Sequence, residues 1–353
     1  MRLTPMDAME DPGMTHACTV IALALTLVWL SPGPAAAQDK SIELKFSSWV
    51  GVGHGHHTGV LAPWAKMIED KSGGRLKVTI YPGSTLGKAT DHWDLVKNGI
   101  ADMGFAAHGY TPGRFPLTSV VELPLLFKTS KGGSLAIWSL YDKYLKTEHA
   151  GVKLLWIWVH APGQFHMGRK PVHTLEDLAG LKFRAGTPMT TAMMKALGGT
   201  PVNIPAPEAY NALERGVVDG TIFPWEAVSS FKLSEVLRHH TVADLYVAPL
   251  MTFMNQKKYD SLPPDLRKVI DDLSGTFGVE LTGTVWDKNE EVGMAAAKKA
   301  GATIYTLPAE ERQRWAAKLK PVEDEWLTSM QAKGLPGRQL LQDLREAIKR
   351  YDP

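Results

Sequence analysis

The chain is expected to form an α/β protein of two lobes spanned by one long helix, and three observations carry that expectation. Strand-like runs at Ile42–Ser47, Leu76–Tyr81, Met103–Ala107, Lys153–Val159 and Lys182–Ala185 alternate with helical patterns, which implies crossover connections. The 316 residues that follow an N-terminal targeting segment exceed what one hydrophobic core usually organises. Leu266, Val269, Ile270, Leu273, Phe277, Leu281, Val285 and Val292 then keep one apolar face for many turns, predicting helix from about Pro264 to Ala300, roughly 50 Å long if unbroken.

In chain order, residues 1–37 read as an export signal and are set aside from the fold. Ala17–Leu30 is a run of 14 nearly all apolar residues, short for a membrane span and right for a signal core. Ala35-Ala-Ala37 places cleavage before Gln38, with Met1 and Met14 both available as starts. Cys18, the sole cysteine, lies inside that segment, so the mature chain is expected to carry no disulfide.

After the first strand, Val60, Leu61, Trp64, Met67 and Ile68 recur at helical spacing and stop at Gly73-Gly74. Further on, Pro171 to Gly186 passes through a helical turn and a tight turn into a strand ending on Arg184. Thr174 and Asp177 read there as N-cap and N3 of a capping box. That strand end puts a guanidinium at the mouth of the sheet, where two parallel hydrogen bonds can hold a carboxylate; a surface ion pair is the plain alternative. In the long helix, Gly275, Gly278, Gly283 and Gly293 each cost about 1 kcal/mol relative to Ala, so a bend or break is expected. Ala302–Leu307 reads as a short strand, and Ala309–Lys318 and Arg338–Tyr351 as amphipathic helices. The expected partition is 38–161 plus about 245–285 in the first lobe, and 162–244 plus about 286–353 in the second.

Charge excludes several functions. Residues 1–37 hold one basic and three acidic side chains, which leaves 38 Lys+Arg against 34 Asp+Glu, a net +4 spread evenly. No basic stripe argues for nucleic acid, and no later apolar run for membrane insertion. Nucleophile elbows, HExxH and phosphate loops are missing from the sequence, so no catalytic residue is nominated.

Several segments, in order, resemble one family: Lys71-Ser-Gly-Gly-Arg-Leu-Lys-Val-Thr-Ile-Tyr-Pro82, Leu86-Gly87, Asn98-Gly-Ile-Ala-Asp-Met-Gly104, Glu122-Leu-Pro-Leu-Leu-Phe127, the Arg184 segment, Ala209-Tyr-Asn-Ala-Leu-Glu-Arg-Gly-Val-Val-Asp-Gly220 and Lys258-Tyr-Asp-Ser-Leu-Pro-Pro-Asp265. Together they resemble the solute-binding proteins of TRAP transporters, the tripartite ATP-independent periplasmic carriers of organic acids. The resemblance implies a two-lobed periplasmic binding protein fold with a long helix bridging both lobes. It also implies a periplasmic location, small and large membrane subunits as partners, and transport driven by an ion gradient. We expect a monomer without a cofactor.

In that family the residue matching Arg184 holds the ligand carboxylate, and the helix opened by Gly186-Thr-Pro188 adds backbone N–H groups. A second Arg common in relatives is replaced here by Gly163 and Gln164, and a neutral amide cannot balance a second charge. Where relatives carry a polar stretch ending in Asn before Pro, Thr221-Ile-Phe-Pro-Trp-Glu226 places Phe223 and Trp225. A monocarboxylate with an apolar or aromatic body is the expected ligand. Gln164 and Glu226 together raise a weaker alternative, a cation bound with the substrate. Loop residues His54, His56 and His57 in Gly51-Val-Gly-His-Gly-His-His-Thr58, with His108 and Tyr110 after the third strand, are candidate ligand contacts, with solvated loop positions and, for the three loop histidines, transition-metal ligation as the alternatives. A sensor of the same fold and an exported enzyme acting on an organic acid are the rival functions.

Overall fold

The computed structural model describes residues 41–353; the expected cleavage site before Gln38 and Cys18 lie outside them. The strands in chain order are β1 (Ile42–Ser47), β2 (Leu76–Tyr81), β3 (Met103–Ala107), β4 (Val152–Val159), β5 (Gln164–Met167), β6 (Lys182–Ala185), β7 (Thr200–Asn203), β8 (Gly220–Phe223), β9 (His239–Val242), β10 (Pro249–Asn255) and β11 (Thr303–Thr306). The α-helices are α1 (Ala62–Lys71), α2 (His92–Lys97), α3 (Ser130–Trp138), α4 (Pro188–Ala196), α5 (Ala209–Glu214), α6 (Trp225–Ser230), α7 (Gln256–Asp260), α8 (Pro264–Asp272), α9 (Thr276–Lys299), α10 (Ala309–Ala332) and α11 (Gly337–Tyr351). Two sheets result, ordered β2-β1-β3-β10-β4 and β11-β9-β5-β8-β6-β7. The α/β expectation holds, and the sheets define the two lobes.

Each sheet is buried by the pattern of its strands. In the first, β4 sends Trp156 and Trp158 into one core with Phe46 and Trp64, while Ile157 and Val159 join Phe253 and Trp93 on the opposite face. Covered on both faces, β4 is a near-continuous apolar run. In the second, Phe165, Phe183 and Ile222 pack with Trp315 of α10.

The chain crosses between sheets at residues 160–163 and 243–248. These segments run side by side: Gly163 N donates to Tyr246 O at 2.7 Å, and Leu245 N to Gly163 O at 2.9 Å. The long helix crosses a third time. It breaks at Gly275, whose φ of 59° ends α8 and starts α9. The remaining glycines are contact points: a Cβ on Gly293 would stand 1.7 Å from Trp225 O, so α9 meets α6 backbone to backbone. Toward the other lobe, Asp287 of α9 accepts from Ser130 N at 2.6 Å and Lys131 N at 3.0 Å, capping α3.

The C-terminal region departs from the expected partition. Only the first half of α10 packs on the second lobe; Trp326 and Met330 join the first lobe's core, as do Leu340, Leu341 and Leu344 of α11. The apolar face of α11 finds α3, and Asp352 beyond it accepts from Lys128 N at 2.6 Å and Thr129 Oγ1 at 2.6 Å. The turn expected at Thr174 is shorter than an α-helix, one 3₁₀ turn (Leu175–Leu178), with the Thr174–Asp177 capping box present.

Candidate functional site

Strand β6 ends between β7 and β8, and Arg184 leaves it toward the space between the sheets. The side chain is 2 % exposed. Its Nε donates to Ile204 O at 2.7 Å, which fixes the plane of the guanidinium, and its Cζ lies 4.1 Å from the centre of the Phe223 ring. A Cβ at Gly186 would stand 2.5 Å from Nη2, so the glycine makes room for the fork. Among the described residues no carboxylate forms an ion pair with Arg184, and no hydrogen bond engages its Nη groups. A buried cation without a partner is costly unless an anion is to be received there.

A cavity opens at this guanidinium, lined from both lobes and the hinge. Trp49, His54 and Tyr110 come from the first lobe, Phe223, Glu226 and Phe231 from the second, His160 and Tyr246 from the crossing segments, and Trp286 from α9. Its volume is about 60 Å³. A dry cavity of about 150 Å³ admits a benzene ring, so a ligand of one ring requires the lobes to part slightly. The walls are mostly aromatic: Phe223 stacks on Phe231 at 6.1 Å, and Phe231 meets the edge of His54 at 4.9 Å.

The expected site residues divide. Arg184, Phe223, Tyr110 and Glu226 line the cavity. Gln164 does not: Ala243 N (2.7 Å) and Asp244 N (2.9 Å) donate to its Oε1, while its Nε2 donates to Pro162 O (3.0 Å) and Asp244 Oδ1 (2.8 Å). With the amide satisfied at the hinge, Gln164 is not free to share a cation with Glu226, which removes the pair on which that weaker alternative was based. Trp225 is turned away, packing against His166 and His240 at 5.0 Å. His56 stacks on Trp158 in the first-lobe core and accepts from Trp286 Nε1 at 3.2 Å, so it stands behind the wall. His57 lies half-buried on the following turn, outside the cavity, and His108 faces His149 at 2.9 Å within the first lobe.

One further correction concerns the opening of α4. The N–H groups of Gly186 (3.1 Å) and Thr187 (2.9 Å) are both taken by Thr190 Oγ1, and Pro188 has none, so these three residues offer an anion no free N–H. Tyr110 accepts from Ala206 N at 2.8 Å across the lobes. Sequence reasoning missed Trp49, His160, Phe231, Tyr246 and Trp286. For His160 and Tyr246, the one usable signal was their position beside the crossing segments.

Burial shifts the histidines and carboxyls around the cavity toward their neutral forms. It lowers His54 to about 3, with His57 adding to the effect, and lowers His160 to about 4 with Arg184 contributing. It raises Glu226 and Glu122 to about 7 and Glu290 to about 8. Glu290 accepts from Trp225 N (3.0 Å) and Glu226 N (2.8 Å), and Glu122 from Thr187 Oγ1 (2.5 Å).

Stability of the ligand-free protein follows from these directions. A raised carboxyl contributes stability present below its unfolded value of 4.5 and lost as pH rises through 7 to 8. A depressed histidine contributes stability present above 6.5 and lost as pH falls through its folded value; His54, His149, His160 and His240 lie at about 3 to 4, and His56, His108 and His166 well below 6.5. These histidines outnumber the carboxyls where the two effects oppose. The thermal midpoint is therefore expected to peak near pH 6.5 and fall at both 4.5 and 8.5; a midpoint still rising at 8.5 contradicts the assignment.

Comparison with known proteins places the chain in a family. Residues 46–329 match the model of the bacterial extracellular solute-binding proteins, family 7, and the chain belongs to that family. It is a TRAP solute-binding protein, the carboxylate-binding subunit of a transporter. A TRAP solute-binding protein from Rhodoferax ferrireducens, solved with copurified benzoate, is 35% identical, covering 88% of this chain and 98% of that one with a TM-score of 0.86. A marine metagenome protein specific for aromatic acid ligands, with 3-hydroxybenzoate, is 34% identical over 89% and 100% of the two chains, TM-score 0.86. One from Bordetella bronchiseptica, with (R)- and (S)-mandelate, is 34% identical over 88% and 100%, TM-score 0.83. The family is periplasmic, and no helix among the described residues is long and apolar enough to cross a membrane.

Proposed function

We propose that this protein captures a small aromatic monocarboxylate in the periplasm and hands it, chemically unchanged, to the small and large membrane subunits of its transporter. The observation that carries the ligand class is the buried Arg184 guanidinium, without an ion-pair partner among the described residues, set against Phe223 in an aromatic cavity. The aromatic acids held by similar proteins support it. Arg184 takes the carboxylate through its Nη edge, Phe223, Phe231 and Trp286 exclude water from the ring, and Tyr110 ties the lobes. Contacts from both lobes favour the closed state, which the membrane partner distinguishes from the open one. Cleavage before Gln38 releases the mature chain. No cofactor enters this reading.

A thermal-shift screen of organic acids tests it. A ligand at 100 times its dissociation constant stabilises by about 2.7 kcal/mol, so benzoate or mandelate is expected to shift the melt by several degrees while succinate shifts it little. A screen in which only dicarboxylates or sugar acids shift the melt contradicts the ligand class.

A further inference from the structure

Starting from Arg184, contacts lead through Phe223 and Phe231 to His54, which places His54 at the other end of a row of rings. There it meets Glu226 across the lobes, His54 Nδ1 to Glu226 Oε1 at 3.3 Å, both side chains lining the cavity. Ser230 of α6 donates to Glu226 Oε1 and accepts from Gly55 N at 3.2 Å, so the carboxyl is held by one oxygen. Among the described residues the other oxygen, Oε2, is buried without a partner, and so is His54 Nε2. Trp49 Nε1, from the same wall, is a third buried polar atom without one. A native interior seldom leaves three such atoms together unsatisfied, and their meeting in one cavity indicates a polar group of the ligand.

The chemistry of that group is constrained. His54 Nδ1 accepts from His56 N at 3.1 Å, which puts the ring proton on Nε2 and makes it a donor. Indole Nε1 of Trp49 is a donor only, whereas Glu226 Oε2 is an acceptor when the carboxyl is ionised. A hydroxyl, which donates once and accepts twice, answers such a mixed set; a methyl, a halide or a second carboxylate does not. We propose that this end of the cavity is a hydroxyl-reading subsite, in which Glu226 and His54 select a ring-hydroxylated aromatic acid over its unsubstituted parent. The inference rests on the aromatic-acid reading above. Because His54 and Glu226 belong to different lobes, both lobes contribute to the subsite. Burial lowers His54 to about 3, so it is neutral near pH 7, and raises Glu226 to about 7, so its carboxyl there is a mixture of the ionised and neutral forms.

Calorimetry with benzoate, 3-hydroxybenzoate and 4-hydroxybenzoate tests the inference on the mature protein. Wild type is expected to bind at least one hydroxybenzoate about tenfold or more tighter than benzoate, the scale of a buried polar group left unpaired by the wrong ligand. In Glu226→Met and in His54→Phe that ratio is expected to fall to within about threefold of one, whatever happens to benzoate affinity itself. Wild-type binding of all three acids with equal affinity overturns the inference alone, and this comparison needs no variant. A preference that survives both substitutions overturns it as well. If none of the three acids binds, the aromatic-acid reading fails and takes the inference with it.

Discussion

Arg184→Lys is expected to raise the dissociation constant for an aromatic carboxylate at least about tenfold, since hydrogen bonds to charged groups contribute about 1.5 to 3 kcal/mol each. The arginine does two things at once: Nε satisfies Ile204 O, and the opposite edge of the same rigid plane is left for the ligand. An ammonium on a flexible stem has to choose between them. It also loses the planar face stacked on Phe223. Because no protein carboxylate depends on Arg184 among the described residues, the ligand-free fold is expected to survive, with a thermal midpoint equal to or above that of wild type. Calorimetry showing unchanged affinity in Arg184→Lys ends the assignment.

The second large effect is selectivity. Among the described residues lining the cavity Arg184 is the one Lys or Arg, and the two histidines that line it, His54 and His160, are held neutral at about 3 and 4. A second carboxylate entering with a four-carbon dianion meets no positive charge, and it faces the Glu226 carboxyl. Burying an unpartnered carboxylate costs several kcal/mol, which predicts a preference for the monocarboxylate of about a hundredfold or more. Competition calorimetry between succinate and benzoate measures it directly. Tighter binding of succinate requires a cation that the cavity does not contain.

What was legible in the sequence follows from the range of the interactions involved. Strands β1, β2, β3 and β6 end where the apolar runs end, because pleat and turn chemistry act over a few neighbours. Arg184 was legible for the same reason: a capped turn, a strand and Gly186 specify its place within a dozen residues. Phe223 followed from its neighbours in chain order. Gln164 was not legible, since its partners Ala243 and Asp244 lie 79 and 80 residues away and are brought in by the hinge. His108 read as a cleft residue until a second histidine, His149, met it from 41 residues on. In the long helix, Gly293 looked like a weak point by propensity. It is where α9 lies against the backbone of Trp225 in α6, a fact about the other helix.

The complex with benzoate, solved by crystallography, tests the central claim most directly. The carboxylate is expected on the Nη edge of Arg184, with N···O distances of about 2.7 to 2.9 Å, and the ring against Phe223 with Trp286 beyond it. A carboxylate turned toward Glu226 and His54, or a ring bound outside the cavity while Arg184 stays without an anion, contradicts it.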